Sequence, residues 1–328
     1  MKTKIVYSIV GCEKNFYVEQ AYMSVRSLRI HNTECRVELV VDPSTYFFMK
    51  SQKYNLVQCV DEIHVIEPPA GCTMKQISRY LKTTIRNVIE GDFLFIDTDT
   101  IITSCISEID NMNFDVAAVA SAHDALYVSM SDEWIISNAK KVGWNDIVGL
   151  PHFNSGVFLV KDTEKSRALY NRWHELWNEC RLKGSDIDQL PLTKANRDCG
   201  YVIQELPGEW NAQILRPAGL HLMPTAKIVH YFASNDCPFF ILGQQETFLR
   251  IRREGTIPED LLSYVNNPCA AMVQNSKIIY GNDMDFYYSS LHDVFVYYRS
   301  CYKFLNCLAK WYLTVRGKIG TLKTNILR

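Results

Sequence analysis

The stretch Phe93-Leu94-Phe95-Ile96-Asp97-Thr98-Asp99-Thr100-Ile101-Ile102 decides how this sequence is interpreted. It begins with a short run of aromatic and branched apolar residues, which predicts a buried β-strand. Two carboxylates spaced one residue apart follow that run. Burying two unpaired carboxylates side by side is costly, so a cation is expected beside them. Hard oxygen ligands suit Mg²⁺ or Mn²⁺, which favours a metal carrying phosphate oxygens over two solvated Asp residues at a strand end.

The composition is that of an ordinary globular protein. The 328 residues include 35 basic and 36 acidic side chains, with 47% hydrophobic and 22% charged residues. This length suffices for one large α/β domain with an appendage or for two domains. The balanced charge gives no indication of nucleic acid binding. The 11 cysteines are scattered without a Cys-x-x-Cys pair, which argues against a zinc ribbon or a disulfide framework and fits a reducing cytosol.

Strand-like and helix-like segments alternate through the first part of the chain. The predicted strands are Ile5–Val10, Val37–Val41, Glu62–Ile66, Phe93–Ile96 and Val116–Ser121, and the predicted helices are Tyr17–Ile30, Ser44–Tyr54, Gln76–Ile89 and Asp162–Lys183. This alternation predicts an α/β fold with a mostly parallel central sheet flanked by helices. Ligands of such sheets bind beyond the carboxyl ends of the strands, which is where Asp97 and Asp99 stand.

Three later segments carry polar groups suited to a sugar or a metal. In the segment Phe153–Val160, Asn154 and Ser155 can hydrogen-bond hydroxyls and Gly156 permits close backbone approach; a simple turn entering a strand is the alternative. In Asp186-Ile187-Asp188-Gln189, a carboxylate beside an amide can bind hydroxyls or stabilise positive charge, or Asp186 can cap the next helix.

The segment Lys227–Phe232 predicts a strand that contains His230. A histidine at a strand end is often structural. A third metal ligand is needed, however, and a neutral imidazole suits Mn²⁺ better than Mg²⁺.

The chain changes character after about residue 240. Apolar residues recur at helical spacing from Phe286 to Val315, and residues 299–328 contain seven Lys or Arg and no Asp or Glu. An aromatic face beside basic side chains predicts peripheral contact with an anionic membrane surface, and a helix packed on the domain is the alternative. We therefore divide the chain into residues 1–240 and a helical region at residues 241–328. The short apolar run after Met1 predicts no signal peptide, no stretch reaches the length of a membrane span, and a cytoplasmic protein is expected.

Taken together, six segments resemble the retaining glycosyltransferases of family 8, which include glycogenin and bacterial lipopolysaccharide galactosyl- and glucosyltransferases. The similarity covers about residues 3–240. The matching segments, in order, are Ser78-Arg79 with Lys82, Phe95-Ile96-Asp97-Thr98-Asp99, Asn154-Ser155-Gly156, Asp188-Gln189, Trp210-Asn211 and His230-Tyr231.

The resemblance implies a GT-A fold that transfers a hexose from a UDP-sugar, with Mn²⁺ or Mg²⁺, to a glycan or glycolipid in lipopolysaccharide or polysaccharide biosynthesis. It assigns the metal to Asp97, Asp99 and His230, and catalysis to Asp188 and Gln189. The implied donor-binding residues are Val10, Gly11, Asn15, Tyr17, Arg79, Lys82, Thr98, Asn154 and Ser155.

The chain departs from the family after His230. Ala233-Ser234-Asn235-Asp236-Cys237-Pro238-Phe239 stands where the family has a Gly and a Lys that contact the diphosphate. A protein that binds UDP-sugar without catalysis is therefore an alternative. A phosphatase of the haloacid dehalogenase type is another, because Asp97-Thr98-Asp99 also fits its nucleophile motif.

Overall fold

The computed structural model describes residues 1–123, 128, 133–232 and 237–273, together with single positions at 290, 291, 294, 307 and 311. The predicted helix from Phe286 to Val315 therefore lies outside the described residues except for those single positions. None of the described helices has both the length and the apolar character needed to cross a membrane.

The described residues form two β-sheets and a set of surrounding helices. The strands are β1 (Lys4–Ile9), β2 (Val37–Val41), β3 (Glu62–Val65), β4 (Phe93–Ile96), β5 (Thr100–Ile102), β6 (Val116–Ala120), β7 (Phe153–Val160), β8 (Ile203–Glu205), β9 (Ala212–Gln213) and β10 (Ile228–His230). The α-helices are α1 (Tyr17–His31), α2 (Pro43–Ser51), α3 (Leu56–Cys59), α4 (Met74–Thr84), α5 (Glu133–Val142), α6 (Glu164–Leu182), α7 (Gln189–Asp198), α8 (Pro217–Leu222), α9 (Gln245–Glu254) and α10 (Glu259–Asn266).

The central sheet has seven strands in the order β3-β2-β1-β4-β7-β6-β8. Strands β1, β2, β3 and β4 are parallel, and β6 is parallel to β8. Strand β7 runs antiparallel to both β4 and β6. The prediction of a mostly parallel sheet is confirmed. The reversal of β7 has a consequence for the site, because it brings the start of β7 to the edge where β4 ends.

The sheet separates two apolar layers. On β4, Leu94 and Ile96 face the layer that contains α1, whereas Phe93 and Phe95 face the layer that contains α4 and α6. All four side chains are buried. This alternation follows from the two-residue side-chain period of a strand, and it explains why the sequence of β4 is apolar throughout.

Helix ends follow local capping chemistry. Thr163 caps α6 through a reciprocal capping box with Ser166. Asp42 caps α2, whose first residue is Pro43. The predicted helix Gln76–Ile89 begins earlier, after a capping box at Thr73, and its α-helical part ends at Thr84.

Residues 237–273 pack into the same apolar layer as α1. Phe240, Phe248, Ile251 and Leu261 are buried there together with residues of β1 and β2. The domain boundary at residue 240 stays a prediction, but the segment that follows it contributes to the core of the described structure.

Candidate functional site

The carboxyl edge of β4 holds the two carboxylates around which the site is built. The backbone N–H of Asp97 donates to the Gly156 carbonyl oxygen at 2.7 Å, which continues the pairing of β4 with β7. The Thr100 hydroxyl donates to the Asp97 carbonyl oxygen at 2.9 Å. These contacts fix the turn between β4 and β5, so both carboxylates are held at the ligand edge of the sheet.

The second sheet delivers His230 to the same place. Strand β10 pairs antiparallel with β5, with His230 opposite Thr100, and the Tyr231 N–H donates to the Asp99 carbonyl oxygen. The His230 Nε2 atom lies 3.2 Å from Asp99 Oδ1. One ligand atom each from Asp97, Asp99 and His230 lies within 4.8 Å of the others. The structure therefore brings together the three residues that the sequence suggested as metal ligands.

A chain of hydrogen bonds sets the tautomer of His230. The Gly156 N–H can only donate, so Asn154 Oδ1 accepts at 2.8 Å, and the same oxygen accepts from Asn211 Nδ2 at 2.8 Å. Asn211 Oδ1 then faces His230 Nδ1 at 3.0 Å and accepts its proton. With the proton on Nδ1, Nε2 presents a lone pair toward Asp99. In the neutral ring these two acceptors face each other at 3.2 Å, and either a proton on Nε2 or a cation beside them would satisfy both; a divalent metal fits this donor set.

Asn211 was not among the predicted site residues, although it belongs to one of the six segments of the resemblance. It is fully buried, and its side chain links His230 to Asn154. A buried Asn beside a Trp gives no sequence signal of its role, because that role depends on residues far along the chain.

Gly156 leaves the space that this cluster needs. A Cβ added to Gly156 would lie 2.8 Å from Asp97 Oδ2 and 2.9 Å from Asn154 Oδ1, and closer still to the His230 ring. Only glycine fits here without displacing a candidate ligand.

Asp188 is the centre of a second, buried charge cluster. Its Oδ1 lies 3.0 Å from Arg79 Nε, and its Oδ2 accepts from Ser155 Oγ at 2.9 Å and lies 3.6 Å from Lys82 Nζ. Burial alone would raise the pKa of Asp188, but the charges of Arg79 and Lys82 and the Ser155 hydrogen bond outweigh it and lower the pKa to about 2. The Asp188 charge in turn raises the pKa of Arg79. Asp188 is therefore a carboxylate at any physiological pH.

Lys82 joins the two clusters. Its Nζ donates to both oxygens of Asp97, at 2.9 and 3.1 Å, and its side chain is only 5% exposed. Each carboxylate oxygen keeps a second lone pair, so Asp97 can still serve as a metal ligand. Three carboxylates (Asp97, Asp99 and Asp188) thus face two fixed cations (Arg79 and Lys82), which leaves one net negative charge. One bound divalent cation would make the net charge positive, which suits an anionic diphosphate.

The Asp188 carboxylate takes no part in capping α7. Asp188 occupies the N-cap position, yet its side chain makes no capping hydrogen bond. Its carbonyl oxygen accepts from Trp173 Nε1 at 2.8 Å, which fixes the backbone there. The next residue, Gln189, donates through Nε2 to the Ser121 hydroxyl at 3.4 Å. Asp186 does not cap the helix either, since its Oδ1 accepts from Gln76 Nε2 at 2.9 Å.

The loop after β1 lies at the same edge of the sheet, because β1 is the parallel neighbour of β4. Asn15 closes this loop by donating to the Val10 carbonyl oxygen and accepting from the Cys12 N–H. The Gly11 N–H donates to Thr45 Oγ1. Tyr17 begins α1 and is near enough to Arg79 to affect its pKa. Thr98 is buried, and its hydroxyl donates to Gln20 Oε1 at 3.3 Å.

Arg252 on α9 holds this loop in place and was not predicted from the sequence. Its guanidinium donates to the carbonyl oxygens of Glu13 at 2.8 Å and Asn15 at 2.6 Å. It also donates to Glu19 Oε1 at 2.6 Å, and it lies over the Phe16 ring. No local pattern announces such a role, because the contacts join residues more than 230 positions apart.

A second group with metal-ligand chemistry, Glu38, Glu62 and His64, has another explanation. The buried Glu38 carboxylate contacts Lys4 Nζ at 3.0 Å and Arg36 Nε at 2.7 Å. Its charge is already compensated, so this group is a structural ion-pair network.

Comparison with known proteins identifies the architecture. The structure of the glycosyltransferase GlyE from Streptococcus pneumoniae TIGR4 matches with a TM-score of 0.52 and 18% identity, over 85% of this chain and 67% of that one. The galactosyltransferase LgtC, solved with donor and acceptor sugar analogues, matches with a TM-score of 0.51 and 14% identity, over 80% of this chain and 99% of that one. The fold is the GT-A fold. An active-site Gln-to-Glu mutant of LgtC matches with a TM-score of 0.51 and 15% identity, over 79% and 99% of the two chains.

These likenesses establish the fold alone, since the sequence identities are low. No protein-family model matches the chain, and no curated protein matches it in sequence. The chemistry of this GT-A protein therefore has to be argued from its own residues.

Proposed function

We propose that this protein is a metal-dependent glycosyltransferase that moves a hexose from a UDP-sugar to a glycan or glycolipid acceptor with retention of anomeric configuration. The observation that carries the proposal is the convergence of Asp97, Asp99 and His230 at the carboxyl edge of β4, next to the buried ion cluster of Arg79, Lys82 and Asp188. A phosphatase of the haloacid dehalogenase type has no basis in a GT-A fold.

The donor set supports Mn²⁺ or Mg²⁺ as the resident ion. Two carboxylates and a neutral imidazole whose Nε2 lone pair is available are suitable ligands, and the imidazole favours Mn²⁺. A bound divalent ion would supply Lewis-acid stabilisation of the negative charge on the departing diphosphate.

The chain's own residues supply the remaining functions. Arg79 and Lys82 provide fixed positive charge for the diphosphate. The loop Val10–Tyr17, held by Arg252, is proposed to bind the uridine. Asn154, Ser155 and the ionised Asp188 are proposed to hold the hydroxyls of the transferred sugar. In our proposal Gln189 lies near the anomeric carbon, where its amide oxygen would stabilise developing positive charge; that LgtC has an active-site glutamine supports this role.

A screen of UDP-sugars tests the proposal by measuring UDP release with Mn²⁺ and with EDTA. We expect Mn²⁺-dependent hydrolysis of at least one UDP-hexose, and loss of that activity in Asp99→Asn. The matched control is Asp92→Asn, which removes an Asp that pairs with Lys161 at the opposite end of β4. Release that is unchanged by EDTA would overturn the metal assignment.

A non-catalytic protein that binds UDP-sugar is the second candidate. Two observations favour it: Lys82 contacts both oxygens of Asp97, and the usual Gly and Lys are missing after His230. Calorimetry separates the two candidates, because Mn²⁺-dependent UDP binding without turnover of any UDP-sugar supports the second.

Residues 299–328, which contain seven Lys or Arg and no Asp or Glu, support a further proposal about location. Peripheral contact with an anionic membrane would place a glycolipid acceptor close to the site. Loss of binding to anionic vesicles on deletion of residues 286–328 is expected, and unchanged binding would contradict it.

A further inference from the structure

A groove of about 590 Å³ is lined by residues that are not among the candidate metal, donor or catalytic residues. It runs between the start of α4, one side of α5 and the loop that connects α6 to α7. Its lining includes Lys75, Trp134, Lys141, Ser185 and Asp186. Its volume is within the range of about 300–1,000 Å³ found for small-molecule sites.

The groove combines an exposed aromatic ring with free positive charge. Trp134 is 55% exposed, an unusual state for the largest apolar side chain. Lys75 and Lys141 are exposed, and within the described part of the chain neither forms an ion pair with a carboxylate. The lining holds two ammonium groups against the single carboxylate of Asp186, which also accepts a hydrogen bond from Gln76, so its net charge is positive.

Asn138 forms hydrogen bonds within the wall of the groove. The buried Asn138 side chain accepts from Ser185 Oγ at 3.3 Å and donates to the Trp134 carbonyl oxygen at 2.8 Å. The bond from Ser185 joins α5, which carries Trp134 and Lys141, to the loop before α7.

The groove borders the segments that carry the buried charge cluster. Lys75 and Arg79 are four residues apart on α4 and therefore lie on the same face of that helix. Ile187, which lines the groove, directly precedes Asp188. A ligand in the groove would therefore lie close to the place proposed for the transferred sugar.

We propose that the groove is the acceptor subsite and that it selects an anionic saccharide, one sugar ring stacking on Trp134 while a phosphate or carboxylate group binds Lys75 and Lys141. This identity of the acceptor rests on the proposed glycosyltransferase function. The aromatic ring supplies an apolar face for the ring carbons, and the ammonium groups supply charge-assisted hydrogen bonds.

Saturation-transfer NMR with defined probes tests the groove directly. The probes are glucose 6-phosphate, glucuronate and glucose; inorganic phosphate, which has no carbon-bound protons to observe, is measured as a competitor of glucose 6-phosphate. We expect the two anionic sugars to bind about tenfold more tightly than glucose or phosphate, and the double variant K75A/K141A to lose that preference. Trp134→Ala should abolish saturation transfer to the ring protons. A preference for only one of the two anionic sugars identifies the charged group as phosphate or carboxylate.

The matched control is K2A/K140A, which removes two exposed lysines outside the groove and should bind like the wild type. Mn²⁺-dependent UDP binding is measured in parallel on each variant, because it reports on folding and on the proposed function independently of sugar binding in the groove. Equal binding of glucose and the anionic sugars, or an unchanged K75A/K141A variant, would overturn the subsite. Phosphate binding as tightly as glucose 6-phosphate would also overturn it, because it would reveal anion binding without sugar recognition. Absence of UDP binding with intact sugar binding would count against the transferase and leave the groove in place.

The acceptor role itself is tested by transfer from the UDP-hexose that the donor screen identifies. K75A/K141A should raise KM for the anionic saccharide by about tenfold with a smaller change in kcat. A change confined to KM for the UDP-sugar would contradict the assignment.

Discussion

Gly156→Ala is the sharpest perturbation of the candidate metal cluster. An added methyl group would lie 2.8 Å from Asp97 Oδ2, whereas a relaxed carbon–oxygen contact is about 3.3–3.6 Å. The carboxylate would therefore have to move by about 0.5 Å, and the His230 ring, which is closer, by more. The groups of a functional site have to be held within roughly 0.5 Å of their working positions. The Asp97 carboxylate would reach this limit and the His230 ring would exceed it. We expect metal affinity to fall by about 10–100-fold, the usual cost of disturbing the support of a ligand.

Calorimetry with Mn²⁺ measures this effect, and thermal unfolding without metal measures the accompanying strain. Overpacking is expected to cost about 1–3 kcal/mol of stability. The control is Gly208→Ala, whose methyl group would press on the flexible end of Leu222 and approach the His123 ring, neither of which is a candidate ligand. If Gly156→Ala binds Mn²⁺ like the wild type while remaining folded, the three residues are not the metal site.

Three further perturbations probe the charges around the cluster. Asp188→Asn should preserve UDP affinity but abolish transfer. The folded-state pKa of Asp188, about 2, lies below the ordinary 3.8, so the variant should also lose about 2 kcal/mol of stability above pH 4. Denaturant titrations should show this loss shrinking as the pH falls toward 2. Lys82→Met should lower stability by about 1–3 kcal/mol while tightening Mn²⁺ binding, since Asp97 loses its cation; weaker binding in calorimetry would refute the idea that lysine and metal compete. Arg252→Ala should weaken UDP binding about tenfold by freeing the loop at Asn15, and Arg252→Lys should rescue it only in part; equal UDP affinity in all three proteins would show that the loop needs no clamp.

Local patterns predicted the strands and the edge of the sheet well. The apolar run before Asp97 predicted a buried strand, and β2 and β4 have the bounds that the sequence indicated. The segment from Phe153 is strand throughout, so its polar start is not a turn. Its antiparallel direction could not be predicted, because strand direction is set by long-range packing.

The metal ligands could be proposed from sequence, but their support could not. Asn211 donates to Asn154, 57 positions away, and Gly156 leaves space for Asp97 and His230, which are 59 and 74 positions away. Arg252 lies in a segment that composition had separated from the sheet domain. These contacts are nonlocal, and nothing in the periodicity of a segment reports them.

The most direct measurement of the central claim is the affinity of UDP, determined by calorimetry with Mn²⁺ and with EDTA, for the wild type and Asp99→Asn. The account predicts that UDP binds the wild type only with Mn²⁺, and that Asp99→Asn weakens this binding by about tenfold or more. UDP affinity that is equal in Mn²⁺ and EDTA, or that is unchanged in Asp99→Asn, would contradict it.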